Sequence, residues 1–227
     1  MSKSQQLVFT SLASGIMLIS MIGISLVTGV SQQTFEWFMP PSAYAAQLIE
    51  GAGPLRTIIG LDNIFIACYS MTVFLLVQVL WQHHARNLLL LVLVSGLAGG
   101  VLDFLENHHI LSMLTMAEMN EPLNAQDIQW QMVFSMLKWH LAYFAFFALA
   151  FTIRPSNKFE RLFRWSLVLI QLPVGVFYYV EAPTPMGEVL FYWRYLNLVS
   201  GFLVFAYLFS RETAERQSRL NALQTAG

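Results

Sequence analysis

The chain has 227 residues, of which 56% are hydrophobic and 11% charged, with a formal net charge of −1; its mean hydropathy is +0.57. A soluble protein of this length covers its surface with about twice that share of charge, so these totals exclude a water-soluble domain. They also exclude phosphate-driven nucleic-acid binding, for which there is no basic excess. With a single cysteine, Cys68, no internal disulfide framework or CxxC pair can form.

A bilayer core of about 30 Å needs about 20 apolar helical residues. Six segments meet that length: about 8–30, 57–81, 88–113, 130–153, 165–181 and 188–210. The prediction is an all-α, polytopic transmembrane helix bundle of six spans in one domain, with 211–227 as a cytoplasmic tail. The first apolar run exceeds the 7–15 residues of a signal-peptide core, so it reads as an uncleaved anchor. Between spans one and two, Phe35, Trp37 and Phe38 are predicted to anchor at the headgroup level. A short amphipathic piece over 42–49 follows, predicted to lie on the membrane surface. Span five is the shortest and carries Gln171 and Pro173, which predicts a kink.

Orientation follows from the basic residues. With the N-terminus inside, Lys3, Arg86, Arg154, Lys158, Arg161, Arg164, Arg211, Arg216 and Arg219 are all cytoplasmic. Arg56 alone falls in an outer loop, and the outer loops hold Glu36, Glu50, Glu118, Glu121, Asp127, Glu181 and Glu188. This bias predicts a bacterial inner-membrane protein with both termini cytoplasmic. His83 and His84 accompany Arg86 in a short cytoplasmic loop, as interfacial residues rather than ligands.

Ionisable groups within spans are costly and face the protein interior with partners. Here they are Asp62 with Asn63 in span two, Asp103, Glu106 and Asn107 in span three, Lys138 and His140 in span four, and Arg194 with Asn197 in span six. At 1.5 Å of rise per residue, Asp62, Asp103, Glu106, Lys138 and Arg194 all fall about 3–10 Å outward of the midplane. Spans running in alternating directions would scatter unrelated charges between leaflets, so a shared level predicts one site. Asp103, Glu106 and Asn107 share a helical face by their i,i+3 and i,i+4 spacing. Ser95 and Gly99 continue that face as small residues admitting a close neighbour, with Gly96 and Gly100 as an adjacent row. Arg194, Asn197 and Gly201 form a comparable stripe. Lys138 and His140, two residues apart, cannot both point into one cavity, so one of them faces a different interface.

Three acids against two cations leave one negative charge, which a protonated acid or a charged histidine would balance. Two readings follow. In one, the charges are an ion-pair network that fixes helix packing, Lys138 with Asp103 or Glu106 and Arg194 with Asp62. In the other they line a binding or catalytic pocket. There Asp103, Glu106 and Lys138 are the catalytic candidates, with Glu106 or Asp103 as general acid/base. Asp62, Asn107, Arg194, Asn197 and His140 are the binding candidates, and Lys138 or Arg194 would hold an anionic headgroup.

Asp103-x-x-Glu106-x-x-His109 places carboxylate and imidazole on one face. Di-iron bundles use two Glu-x-x-His motifs, and one is present here. No cofactor is therefore predicted; a bound metal ion would take Glu106 and His109, with His140 as a further ligand. No GxSxG elbow, Walker or dinucleotide fingerprint occurs.

The run Val101-Leu-Asp103-Phe-Leu-Glu106-Asn107, followed on the next span by Leu137-Lys138-Trp139, resembles a pattern in small uncharacterised bacterial membrane proteins. Those carry Asp-x-x-Glu-Asn and Lys-Trp on consecutive spans of a four-helix unit. The resemblance covers spans three and four, about a quarter of the chain. It implies that Asp103, Glu106, Asn107 and Lys138 act as one unit, and it implies no activity.

The expected function is binding, with or without processing, of a lipid or small amphiphile. Expected partners are membrane lipids, a second copy or a larger membrane complex, and no nucleic acid. The alternatives are a proton- or solute-coupled carrier and an accessory subunit of such a complex.

Overall fold

The structure, a computed structural model, describes residues 1–81, 86–181 and 184–225, the last of these without side chains beyond 211. His83 and His84 lie outside the described residues, as do the side chains of Arg216 and Arg219.

Helix α1 (Lys3–Thr28) starts on a capping box in which the Ser2 hydroxyl accepts from the Gln5 amide and the Gln5 side chain accepts from the Ser2 amide. It ends at Gly29, whose φ of 71° lets the chain turn left-handed. A 3₁₀ turn (Gln32–Glu36) and helix α2 (Pro41–Glu50) follow. Pro41 opens α2 where its missing N–H costs nothing. Helices α3 (Ala52–Leu80), α4 (Arg86–Glu118) and α5 (Ala125–Ala150) each cross in one piece, α5 capped by the Asn124 side chain. The fifth crossing is composite: α6 (Lys158–Ser166), a π-helical turn (Leu167–Gln171) and α7 (Leu172–Glu181). Pro173 offers no N–H to the preceding turn, so the widened turn at Leu167–Gln171 is where the predicted irregularity settles. Helix α8 (Pro185–Thr225) crosses last and extends through most of the segment expected as a tail.

Six helices are therefore long and apolar enough to span a membrane. An even number returns the chain to its starting face, called proximal below. Only 28–39% of each span window is buried inside the protein, so most apolar side chains face outward, as lipid demands. The helices overrun the apolar windows by several residues at most ends, because backbone hydrogen bonding continues into the interfacial layers.

Burial divides the interior into three layers. The proximal layer is packed hydrocarbon, including Leu7, Leu76, Leu89, Leu149, Phe163 and Phe205. The middle layer holds Leu18, Phe65, Trp139, Tyr143 and Phe202. In the distal layer, Tyr44 and Leu48 of α2, one turn apart, pack with Leu55, Ile110 and Leu114. The amphipathic 42–49 piece is thus a helix whose apolar face is covered by the bundle. Burial, and after it the charge of Glu106, keeps the Tyr44 phenol protonated well above its ordinary range.

Small residues decide which helices touch. A Cβ at Gly99 would meet the Lys138 carbonyl at 3.4 Å, so α4 and α5 run backbone to backbone at the charged level. Gly96 and Gly100 face α3 instead, where a Cβ would crowd Val73 and Ser70. Gly175 of α7 lies directly against the Tyr143 ring. At Gly201 nothing approaches within 4 Å, so this residue does not mark a helix contact.

Candidate functional site

The close approach of α4 and α5 aims Lys138 at the carboxylates one turn along α4. Its Nζ donates to Asp103 Oδ1 at 2.7 Å and lies 2.8 Å from Glu106 Oε2. Glu106 is fully buried and neither of its carboxylate oxygens receives a well-aligned hydrogen bond. Asp103 Oδ2 accepts from the Tyr69 hydroxyl of α3 at 3.1 Å.

Beside this triad runs a chain of amides. Asn107 donates to Asp62 Oδ2 at 2.7 Å and to Asn63 Oδ1 at 2.9 Å. Its own Oδ1 accepts from the Gln32 amide at 2.6 Å, which fixes the Asn107 NH₂ toward α3. Gln32 and Asn107 are buried, so the 3₁₀ turn dips into the bundle rather than lying in solvent.

Glu36, from the same turn, is fully buried. It accepts from Trp139 Nε1 at 2.9 Å and pairs with Arg194 at 3.5 Å. Arg194 therefore meets Glu36 and not Asp62, the partner expected from the spans alone. The guanidinium lies 3.9 Å from the Trp139 ring centre and 4.2 Å from that of Tyr178, with Tyr195 and Phe191 within 5.5 Å. Its Nε and Nη1 have no hydrogen-bond partner, so aromatic faces supply most of its surroundings.

The remaining candidates sit apart. Asn197 is half-buried and turns back to donate to the Trp193 carbonyl. His140 bonds through Nδ1 to the Met136 carbonyl and stacks on Tyr179, pointing at α7. His109 Nδ1 meets Gln131 Oε1 at 3.1 Å. Among the described residues no group of three or more His, Cys, Asp or Glu side chains is placed to hold a metal ion.

A cavity of about 230 Å³ adjoins the triad. Asp62, Asp103 and Lys138 contribute its polar lining, and Phe65, Trp139 and Tyr195 part of its aromatic wall. Leu26 of α1, Tyr192 of α8, and Ser31 and Gln33 at the 3₁₀ turn also line it, and Leu26 and Tyr192 are 73% and 58% exposed.

Glu36 and Gln32 are the residues that span-by-span reading missed, because a loop acid is expected in water. The signal was available: Glu36 stands between Phe35 and Trp37, and a charge inside an aromatic cluster is poorly placed for solvation. No protein-family model, curated protein or solved structure matches the chain.

Proposed function

We propose that this protein binds, and through its carboxylates processes, a lipid or small amphiphile that enters from the bilayer between α1 and α8. One observation carries the reading: an aromatic-walled cavity, bordered by the exposed side chains of Leu26 and Tyr192 on two spans, ends on charged side chains. A carbon chain suits the walls and a polar end suits the floor. In processing, Glu106 and Asp103 are the general acid/base pair, and Lys138, held between them, keeps both in position. The resemblance of spans three and four to small bacterial membrane proteins treats these same residues as one unit. The basic bias of the proximal loops supports a plasma-membrane location with both termini cytoplasmic, which sets the cavity in the outer leaflet. The carrier reading has less support, because among the described residues the buried polar side chains of the proximal half, such as Ser11, Ser14, Thr72 and Gln171, include no ionisable group.

The test is to purify the full chain and identify retained lipids by mass spectrometry, beside Ile22→Trp, which fills the mouth. Enrichment of one amphiphile class over bulk membrane in the parent, lost in Ile22→Trp, is the expected result. Equal retention by both proteins would refute the pocket. Glu106→Gln separates binding from processing: an enzyme keeps the amphiphile and accumulates its unconverted form.

A further inference from the structure

The charges around the cavity are not balanced, and the imbalance has a direction. Four carboxyl groups, Glu36, Asp62, Asp103 and Glu106, meet two cations, Lys138 and Arg194. Neither cation is free to receive an anion. Lys138 already lies within 2.8 Å of two carboxylates. Arg194 is not part of the cavity lining; Trp139, Phe191 and Tyr195, which line it, are the rings packed against the guanidinium.

Asp62 is in the opposite position. It is more than nine-tenths buried and lines the cavity. Asn107 donates to one of its oxygens, and no basic side chain among the described residues lies within ion-pair distance. The Gln32–Asn107 bond holds that amide in place, with its NH₂ on Asp62. A buried, unpaired carboxylate is costly unless it takes up a proton or a cation meets it. Phe65, Trp139, Phe191, Tyr192 and Tyr195 face the same space, and aromatic faces attract organic cations. The aromatic wall favours an organic cation.

Resting on the amphiphile reading above, we propose that the ligand's head is an ammonium group, bound by Asp62 against the aromatic wall, with its hydrocarbon tail leaving between α1 and α8. This reverses the expectation that Lys138 or Arg194 holds an anionic headgroup. A volume of about 230 Å³ equals roughly eight waters at about 30 Å³ each. That is room for a head and the start of a chain, and the rest of the tail stays in lipid.

The test measures binding of decylammonium, decanol and decyl sulfate to the full chain in neutral maltoside micelles by calorimetry, with methylammonium as the tail-less control. Decylammonium is expected to bind about 10–100-fold more tightly than the other two, the scale of one charged hydrogen bond. Asp62→Asn, nearly isosteric, is expected to abolish that preference while leaving decanol binding unchanged. If that variant does not fold, Phe65→Leu keeps every charge and is expected to lower ammonium affinity about 2–5-fold. Decanol or decyl sulfate binding as well as decylammonium would overturn the ammonium assignment and leave the amphiphile pocket standing. Failure of all three decyl probes would overturn both. Methylammonium binding as tightly as decylammonium would keep the Asp62 site but make the ligand a soluble amine, again removing the amphiphile.

Discussion

Two ion groups lie at the distal level of this bundle, and they differ in what surrounds them. Lys138 sits between Asp103 and Glu106 with a cavity alongside. Arg194 and Glu36 are both fully buried, enclosed by Trp139, Tyr178 and neighbouring rings. Lys138 joins two adjacent helices that already touch closely at Gly99, whereas Arg194 ties α8 to the 3₁₀ turn, 158 residues away in sequence. The difference teaches that an intramembrane charge is not functional by cost alone. The sealed pair fixes where the turn docks, while Lys138 and Asp103 of the triad border a cavity and Glu106 is buried behind them.

The largest effect should come from the sealed pair. Arg194→Met leaves the Glu36 carboxylate buried without its cation and is expected to destabilise the protein by about 3–5 kcal/mol, read as the loss in thermal unfolding in detergent. Adding Glu36→Gln should recover most of that loss, because replacing both ions removes the stranded charge. A double variant as unstable as the single one would mean that the guanidinium's packing, not its charge, holds the turn.

Lys138→Met should be milder in stability, about 1–3 kcal/mol, since Asp103 borders the cavity and also accepts from the Tyr69 hydroxyl. A variant that unfolds like Arg194→Met would erase the distinction between the groups. Arg56→Ala gives the baseline. Its pair with Glu118 measures 2.6 Å, but the two side chains are 46% and 39% exposed. The expected change is at most about 1 kcal/mol, so a larger one in the same unfolding assay would show that short distance outweighs exposure here.

Much of this was legible along the chain. Asp103, Glu106 and Asn107 share a helical face by spacing alone, and all three are buried together. Gly96, Gly99 and Gly100 announced close helix contacts that occur. The partner of Arg194 was not legible, since two spans at equal depth looked sufficient and the true partner enters from a turn. His140 also illustrates the limit: periodicity separated it from Lys138 without saying which of the two leaves the cavity, and packing places His140 against Tyr179.

By itself, the order of residues determined the six spans and the level at which the charges lie. Apolar length against a fixed hydrocarbon thickness, and 1.5 Å of rise per residue, are local quantities that each segment carries within itself. Which carboxylate meets which cation, and that Asp62 faces a cavity with none, depended on the three-dimensional arrangement. Helix rotation and the docking of Gln32–Glu36 are set by contacts between segments remote in sequence, and no local pattern encodes them.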